Sequence, residues 1–136
     1  MVLDAPVSGD VPRVPLQLSR KCLVASLQID LTEEVLDQFR TDLLEALQAT
    51  EAVGVIIEVS GLDVIDVEEF DALRKTMVMV QLMGAKTVIA GLRPGVVSSL
   101  VQLDAATDEV DAAMNLDDAF ERIEALVAGD GDEVEE

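Results

Sequence analysis

Five acids fall between residues 63 and 71 of the stretch "GLDVIDVEEFDALR" (residues 61–74): Asp63, Asp66, Glu68, Glu69 and Asp71. Carboxylates this dense suggest two chemistries. Converging oxygens can hold a hard cation, and a spaced pair can share general acid and base work. A plainer reading accounts for the same residues. A helical pattern starts just after Ile65, so Asp66 is placed as its N-cap. Glu68 and Glu69 then fall in the first turn, where the helix dipole favours negative charge. Asp71 falls on a solvated face. Capping explains the acids without making them converge, so neither a metal site nor a hydrolase carboxylate pair is expected.

Other candidates are weaker. The chain has no His, which removes Ser-His-Asp and Cys-His nucleophile systems and the usual zinc sites. Cys22, the one cysteine, sits in the apolar run "CLVASL" and reads as a small buried hydrophobe rather than a reactive thiol. The terminal "GDGDEVEE" echoes a calcium loop but lacks the ligand spacing and any following helix, so a disordered acidic tail is expected. "GLRPGV" (residues 91–96) is a glycine-containing turn feeding a helix start, a place that can hold an anion. It matches neither GxGxxG nor a P-loop. It reads as a structural turn, with Arg93 placed to contact a partner. No catalytic residue, cofactor or metal is expected.

The charge narrows the partners. The 136 residues carry 28 acids against nine bases, a formal net charge of −19, with no Lys/Arg cluster. Counterion release on nucleic acid needs such a cluster, so nucleic acid and anionic membrane surfaces are disfavoured. With Phe39, Phe70 and Phe120 the only aromatic residues, base-stacking platforms are missing as well. No run of 18 apolar residues and no basic-then-apolar leader is present, so a cytosolic location is expected.

The elements that must position these residues alternate. Residues 1–13 read as a flexible lead-in, 14–128 as one domain and 129–136 as the acidic tail. Residues 14–18 and 22–29 read as strands around a tight turn at "SRK". A helix follows, capped by Thr32, with Val35, Phe39, Leu43 and Leu47 recurring at i, i+4 and Leu36 and Ala46 on the same face. "AVGVIIEVS" is a nearly continuous apolar run and reads as a central strand. A helix spans about 67–83, ended by Gly84, and "KTVIAGL" is the next strand. Pro94 opens a short helix. Residues 105–115 read as a loop with a short edge strand. The last helix turns Leu116, Phe120, Ile123 and Leu126/Val127 to one face. This order predicts an α/β fold: a mixed, mostly parallel sheet of four to five strands packed against about four helices.

The helix at 67–83 carries a second signal. Phe70, Leu73, Met77 and Val80 form a core stripe, yet Val78, Met79, Leu82 and Met83 lie on its other sides. From Met77 to Met83 only Gln81 is polar. A half-helix apolar nearly all round is covered either by a neighbouring element or by another protein; the protein interface is the favoured reading, because methionine-rich surface suits adaptable binding.

The stretch "VSGLDVIDVEEFDALRKTMVMVQLMGAKTVIAGLRPGVVSSLVQL" resembles the STAS domain of the sulfate-transporter and anti-sigma-antagonist class, and within it the stressosome proteins of the RsbS type. "QLMGAKTVIAGLRPGV" is its most specific part, and the likeness extends from about Val14 to Val127. The resemblance implies a non-enzymatic scaffold. Such proteins assemble with sister STAS sensor proteins and hold a serine/threonine switch kinase of the GHKL class, which phosphorylates the STAS domains under stress and departs.

In that family a Ser or Thr usually follows an Ile-Asp pair at the start of the second helix. Here Ile65-Asp66 match the pair and Val67 stands at the acceptor position. A second acceptor precedes the glycine of Gly-x-x-Pro, where this chain has Ala90 before Gly91. Neither side chain has a hydroxyl, so no phosphorylation is expected at either. Glu68 as a permanent mimic of the phosphorylated state is the lesser reading, since it lies one residue on, roughly 100° around the helix, and carries less charge than phosphoserine. Ser60, Thr76, Ser98 and Ser99 remain as unconventional acceptors, each expected to be structural. The resemblance places partner binding on Asp63, Asp66, Val67, Glu68, Glu69, Gly91, Arg93, Pro94 and Gly95. Self-association or hetero-oligomer formation is expected. The alternative function is a single-domain antagonist that binds an anti-sigma factor. A third, weaker alternative is a module holding an anion or nucleotide near "GLRPGV".

Overall fold

Three apolar runs become the parallel centre of a sheet. In the computed structural model, which describes residues 2–3, 11–103 and 110–134, β1 (Val2–Leu3), β2 (Leu16–Ser19), β3 (Cys22–Ser26), β4 (Gly54–Glu58), β5 (Lys86–Ala90) and β6 (Ala112–Ala113) lie side by side in sequence order. The pairings β1–β2 and β2–β3 are antiparallel, and β3–β4, β4–β5 and β5–β6 are parallel. The fold is the expected α/β, mixed and mostly parallel. Among the described residues it has four longer strands, and two-residue strands close both edges. β1 lies in the segment read as a lead-in. It pairs with β2, whose outer N–H and C=O groups would otherwise stay unpaired.

Helices α1 (Glu33–Ala49), α2 (Val67–Leu82) and α3 (Pro94–Gln102) join successive parallel strands, and α4 (Leu116–Val134) follows β6. Two clusters show which face each helix covers. Leu23, Ala25, Val55, Ile57 and Ile89 pack with α1, α2 and α3. Cys22, Val24, Ile56, Val88 and Ala90 pack with Ala119, Phe120 and Ile123 of α4. Strand alternation therefore supplies both cores, and β4 is apolar throughout because both its faces are covered.

The expected stripes are present. Val35, Phe39, Leu43, Ala46 and Leu47 are buried on α1, as are Phe70, Leu73, Met77 and Val80 on α2. Thr32 Oγ1 accepts from Val35 N–H at 3.2 Å, capping α1. On α4, Phe120 and Ile123 are buried, but Leu116 and Val127 are exposed, so the buried stripe is narrower than the sequence pattern. α4 runs on through Gly129 and Gly131 to Val134, although each glycine lowers helix stability by about 1 kcal/mol. The turn between β2 and β3 is two residues, Arg20 and Lys21, both at positive φ as a hairpin of matching twist requires. Arg20 stacks over the Phe120 ring, 4.5 Å from its centroid. The edge strand expected after α3 is β6. Residues 104–109 lie outside the described residues.

Candidate functional site: two loops joined by one arginine

Successive parallel strands all release their chains at one end of the sheet, where open α/β folds place binding groups. The loop after β4 and the loop after β5 meet there. Val59 N–H donates to Ala90 C=O at 2.9 Å, extending the ladder beyond β4. The chain then turns, with Leu62 N–H donating to Val59 C=O at 3.0 Å. The Glu58 carboxylate folds back to accept from Ser60 N–H at 3.2 Å.

Arg93 ties the second loop to the first. Its Nε and Nη2 donate to Ser60 C=O at 3.1 and 2.9 Å, and its Nη1 to Asp63 Oδ1 at 2.7 Å. The Arg93–Asp63 pair is largely exposed, so its own contribution to stability is small. What it does is geometric: one planar guanidinium fixes two loops 30 residues apart in sequence. These donors are committed to the loop, which supports the reading of "GLRPGV" as a structural turn over an anion site. Gly91 makes the close approach possible. It sits at φ +84°, and a Cβ there would lie 3.1 Å from Ser60 N.

The acids behave as a helix start. Asp66 Oδ1 accepts from Glu69 N–H at 2.7 Å, and Glu69 Oε1 accepts from Asp66 N–H at 3.0 Å, a reciprocal capping box. Asp71 bonds Arg74 at 2.6 Å and Lys75 at 3.1 Å, and these contacts hold its carboxyl below the usual range, Arg74 first. Among the described residues no three acid or Cys side chains gather as a metal site would require. Asp66→Ala is expected to lower unfolding free energy by about 1 kcal/mol, the usual loss of an N-cap, measurable by urea denaturation.

The two positions expected from the resemblance to hold acceptors, Val67 and Ala90, differ sharply. Val67 is the first residue of α2 and half-buried, so its side chain is reached from solvent. Ala90 is 0% exposed, enclosed by the α4-side core. Of the other hydroxyls, Thr76 is buried, whereas Ser60, Ser98 and Ser99 are exposed. Cys22 is buried, and that burial pushes its thiol pKa up, away from reactivity.

Asp63, Asp66, Val67, Glu68 and Glu69 therefore share one loop and helix start, and Gly91, Arg93, Pro94 and Gly95 the adjoining turn. Sequence reasoning missed the Ser60 carbonyl that holds them together and the Glu58 carboxylate that braces Ser60 from within its own loop. It also missed a groove of about 730 Å3 beside the acids, where Gln28, Asp30 and Thr32 face Gly61, Asp63 and Val64. Nothing in the spacing of residues 28–32 marks them as neighbours of residues 61–64. Among the described residues no helix is long and apolar enough to cross a membrane.

A family profile described as STAS domain matches residues 13–119. No curated protein sequence matches the chain. Among solved structures, RsbS of Moorella thermoacetica, as a serine-to-glutamate variant, is similar at 23% identity and a TM-score of 0.73, over 85% of this chain and 97% of that one. A chain from "Molecular architecture of the stressosome, a signal integration and transduction hub" is similar at 22% identity and a TM-score of 0.72, over 83% of this chain and 98% of that one. At these identities the likeness is one of fold. The murine anion transporter Solute Carrier 26 family member A9 is similar at 14% identity and a TM-score of 0.61, with this chain spanning 18% of that length.

Proposed function

The chain belongs to the STAS domain family, and from that premise we propose that it is a non-enzymatic scaffold of a stressosome-like partner-switching pathway. It binds sister STAS sensor proteins and a GHKL-class switch kinase in the cytosol. The observation that carries this reading is the pinned pair of loops, with Val67 as the solvent-reached residue at the switch position. A rigid surface of this kind loses little conformational freedom on docking. The missing hydroxyl means that the kinase can be held without modifying that position. Exposed carboxylates at Asp63, Asp66 and Glu68 favour a partner presenting Lys or Arg.

Two measurements test this. Incubation with the cognate kinase and ATP is expected to leave residues 66–68 unmodified in phosphopeptide maps. Phosphate on Ser60, Ser98 or Ser99 together with kinase release would sink the unswitchable scaffold. Arg93→Ala frees the two loops and is expected to weaken capture of the kinase at least about tenfold, while the melting temperature moves little because the pair is exposed. Unchanged capture would remove the loop pair from the binding surface.

The second reading is a single-domain antagonist that binds an anti-sigma factor, a role that the STAS match to residues 13–119 accommodates equally. Native mass separates the two: a megadalton particle on co-purification supports the scaffold, a small heterodimer the antagonist.

A further inference from the structure

The 28 acids stop at Asp71 and resume at Asp104, leaving residues 72–103 without one. Four of the nine bases lie in that stretch, and each is already engaged. Arg74 and Lys75 pair with Asp71, Arg93 pairs with Asp63, and Lys86 is engaged as well. The stretch builds the second half of α2, β5 and α3, and both helices pack on the same face of the sheet.

This electrically quiet region is also apolar outside. On α2 and just past it, Val78, Met83 and Leu82, the last 83% exposed, face solvent. On α3 and just past it, Val97, Leu103 and Val101, the last 59% exposed, do the same. Val97 and Val101 lie one turn apart on one side, while Val96 and Leu100 on the other are buried in the core. The exposed residues of α3 include Ser98, Ser99 and Gln102 and hold no charge at all. The neighbouring helix on this face, α1, differs: its exposed side opens with Glu33, Glu34 and Asp37.

The charge pattern selects the occupant. An acidic partner finds no free base here. A basic partner gains more at α1 or at the start of α4, where Asp117, Asp118 and Glu121 are exposed. Two copies of this chain, each of net charge −19, repel wherever their acids face one another, and can meet closely only where acids are absent. We propose that the outer sides of α3 and the second half of α2 form a homotypic interface on which two copies pair about a two-fold axis. This rests on the reading of the chain as a self-assembling STAS scaffold and names the surface that does it.

Salt gives the pairing a signature. Screening removes the repulsion between the two acidic bodies and leaves the uncharged contact intact, so association strengthens as salt rises. A contact held by ion pairs weakens instead. Sedimentation equilibrium of the purified full chain is expected to show a monomer–dimer equilibrium at least about tenfold tighter in high than in low salt. Val101→Glu and Leu82→Glu are each expected to loosen it at least about tenfold, because each puts acids against the partner copy. Both sites are exposed, and circular dichroism checks that the fold is kept. Gln48→Glu adds the same charge on exposed α1 and is expected to change the equilibrium little.

A monomer at every concentration and salt overturns the proposal. So does a dimer that weakens with salt, or one that Val101→Glu and Gln48→Glu affect equally. A chain that stays monomeric but recruits a sister STAS protein through Val101 assigns this face to that partner and overturns the homotypic pairing. Kinase capture through Arg93 is a separate readout, so either result stands if the other fails.

Discussion

Gly91→Ala is expected to lower the unfolding free energy by about 2–5 kcal/mol, with a melting temperature lower by roughly 10 °C. Two effects combine. At φ +84° an L side chain occupies the left-handed region, a strain of about 1–2 kcal/mol. The new Cβ would also lie 2.7 Å from Glu58 Oε2, 3.0 Å from Ser60 Cβ and 3.1 Å from Ser60 N. The carboxylate can swing away, but the Ser60 backbone is held by Arg93 and cannot, so overpacking adds about 1–3 kcal/mol. The same displacement pulls Ser60 C=O from the guanidinium, so partner capture should fall with stability. Gly95→Ala is the contrasting case. Nothing lies within 4 Å of its added methyl and its φ is ordinary, so the gain is about 0.4–1 kcal/mol from a less flexible unfolded chain. Urea denaturation of both variants checks the opposite signs. A Gly91→Ala protein as stable as the parent would mean that the loops are not packed this tightly.

The parts legible in the sequence were those fixed by local pattern. The i, i+4 recurrence of Val35, Phe39, Leu43 and Leu47 gave the buried face of α1, and Asp66 with Glu69 gave the start of α2. Gly91 and Arg93 were visible as a turn, but their role was not. The contacts from Arg93 to Ser60 span 33 residues, and no local pattern encodes a distance of that kind. Ala90 and Gly91 show the limit most clearly. They are adjacent, yet one is sealed under α4 and the other presses on the Ser60 backbone. Strand alternation says that the two face opposite ways; only the packing says which face is closed. The exposure of Leu82 and Met83 was foreshadowed by a half-helix apolar on every side. Leu116 belonged to a helical stripe in the sequence, but it sits at the first turn of α4, beyond the sheet residues that cover Phe120 and Ile123.

Val67→Ser is expected to convert a protein that takes no phosphate near α2 into one that takes close to one per chain from the cognate kinase. The position is prepared for it. Val67 begins α2, directly after a cap whose two hydrogen bonds involve Asp66 and Glu69 only, so a serine there leaves the capping box intact. The side chain is reached from solvent. Ala90→Ser is the matched negative: its hydroxyl would be enclosed by the α4-side core, and phosphorylation would require that core to open. The phosphorylated Val67→Ser chain should then release the kinase, with affinity at least about tenfold lower. A phosphoryl group adds about −1.5 to −2 charges beside the exposed Asp63, Asp66 and Glu68. Arg93, the nearby cation, already spends its donors on Ser60 and Asp63, so it can meet the new charge only by letting the loops part. Neutralisation and loop geometry thus oppose each other, and either outcome alters the docking surface. Phosphopeptide mapping followed by titration of the kinase against both forms measures the effect. If the introduced serine stays unmodified while the kinase binds normally, the surface serves binding alone and the switch lies elsewhere.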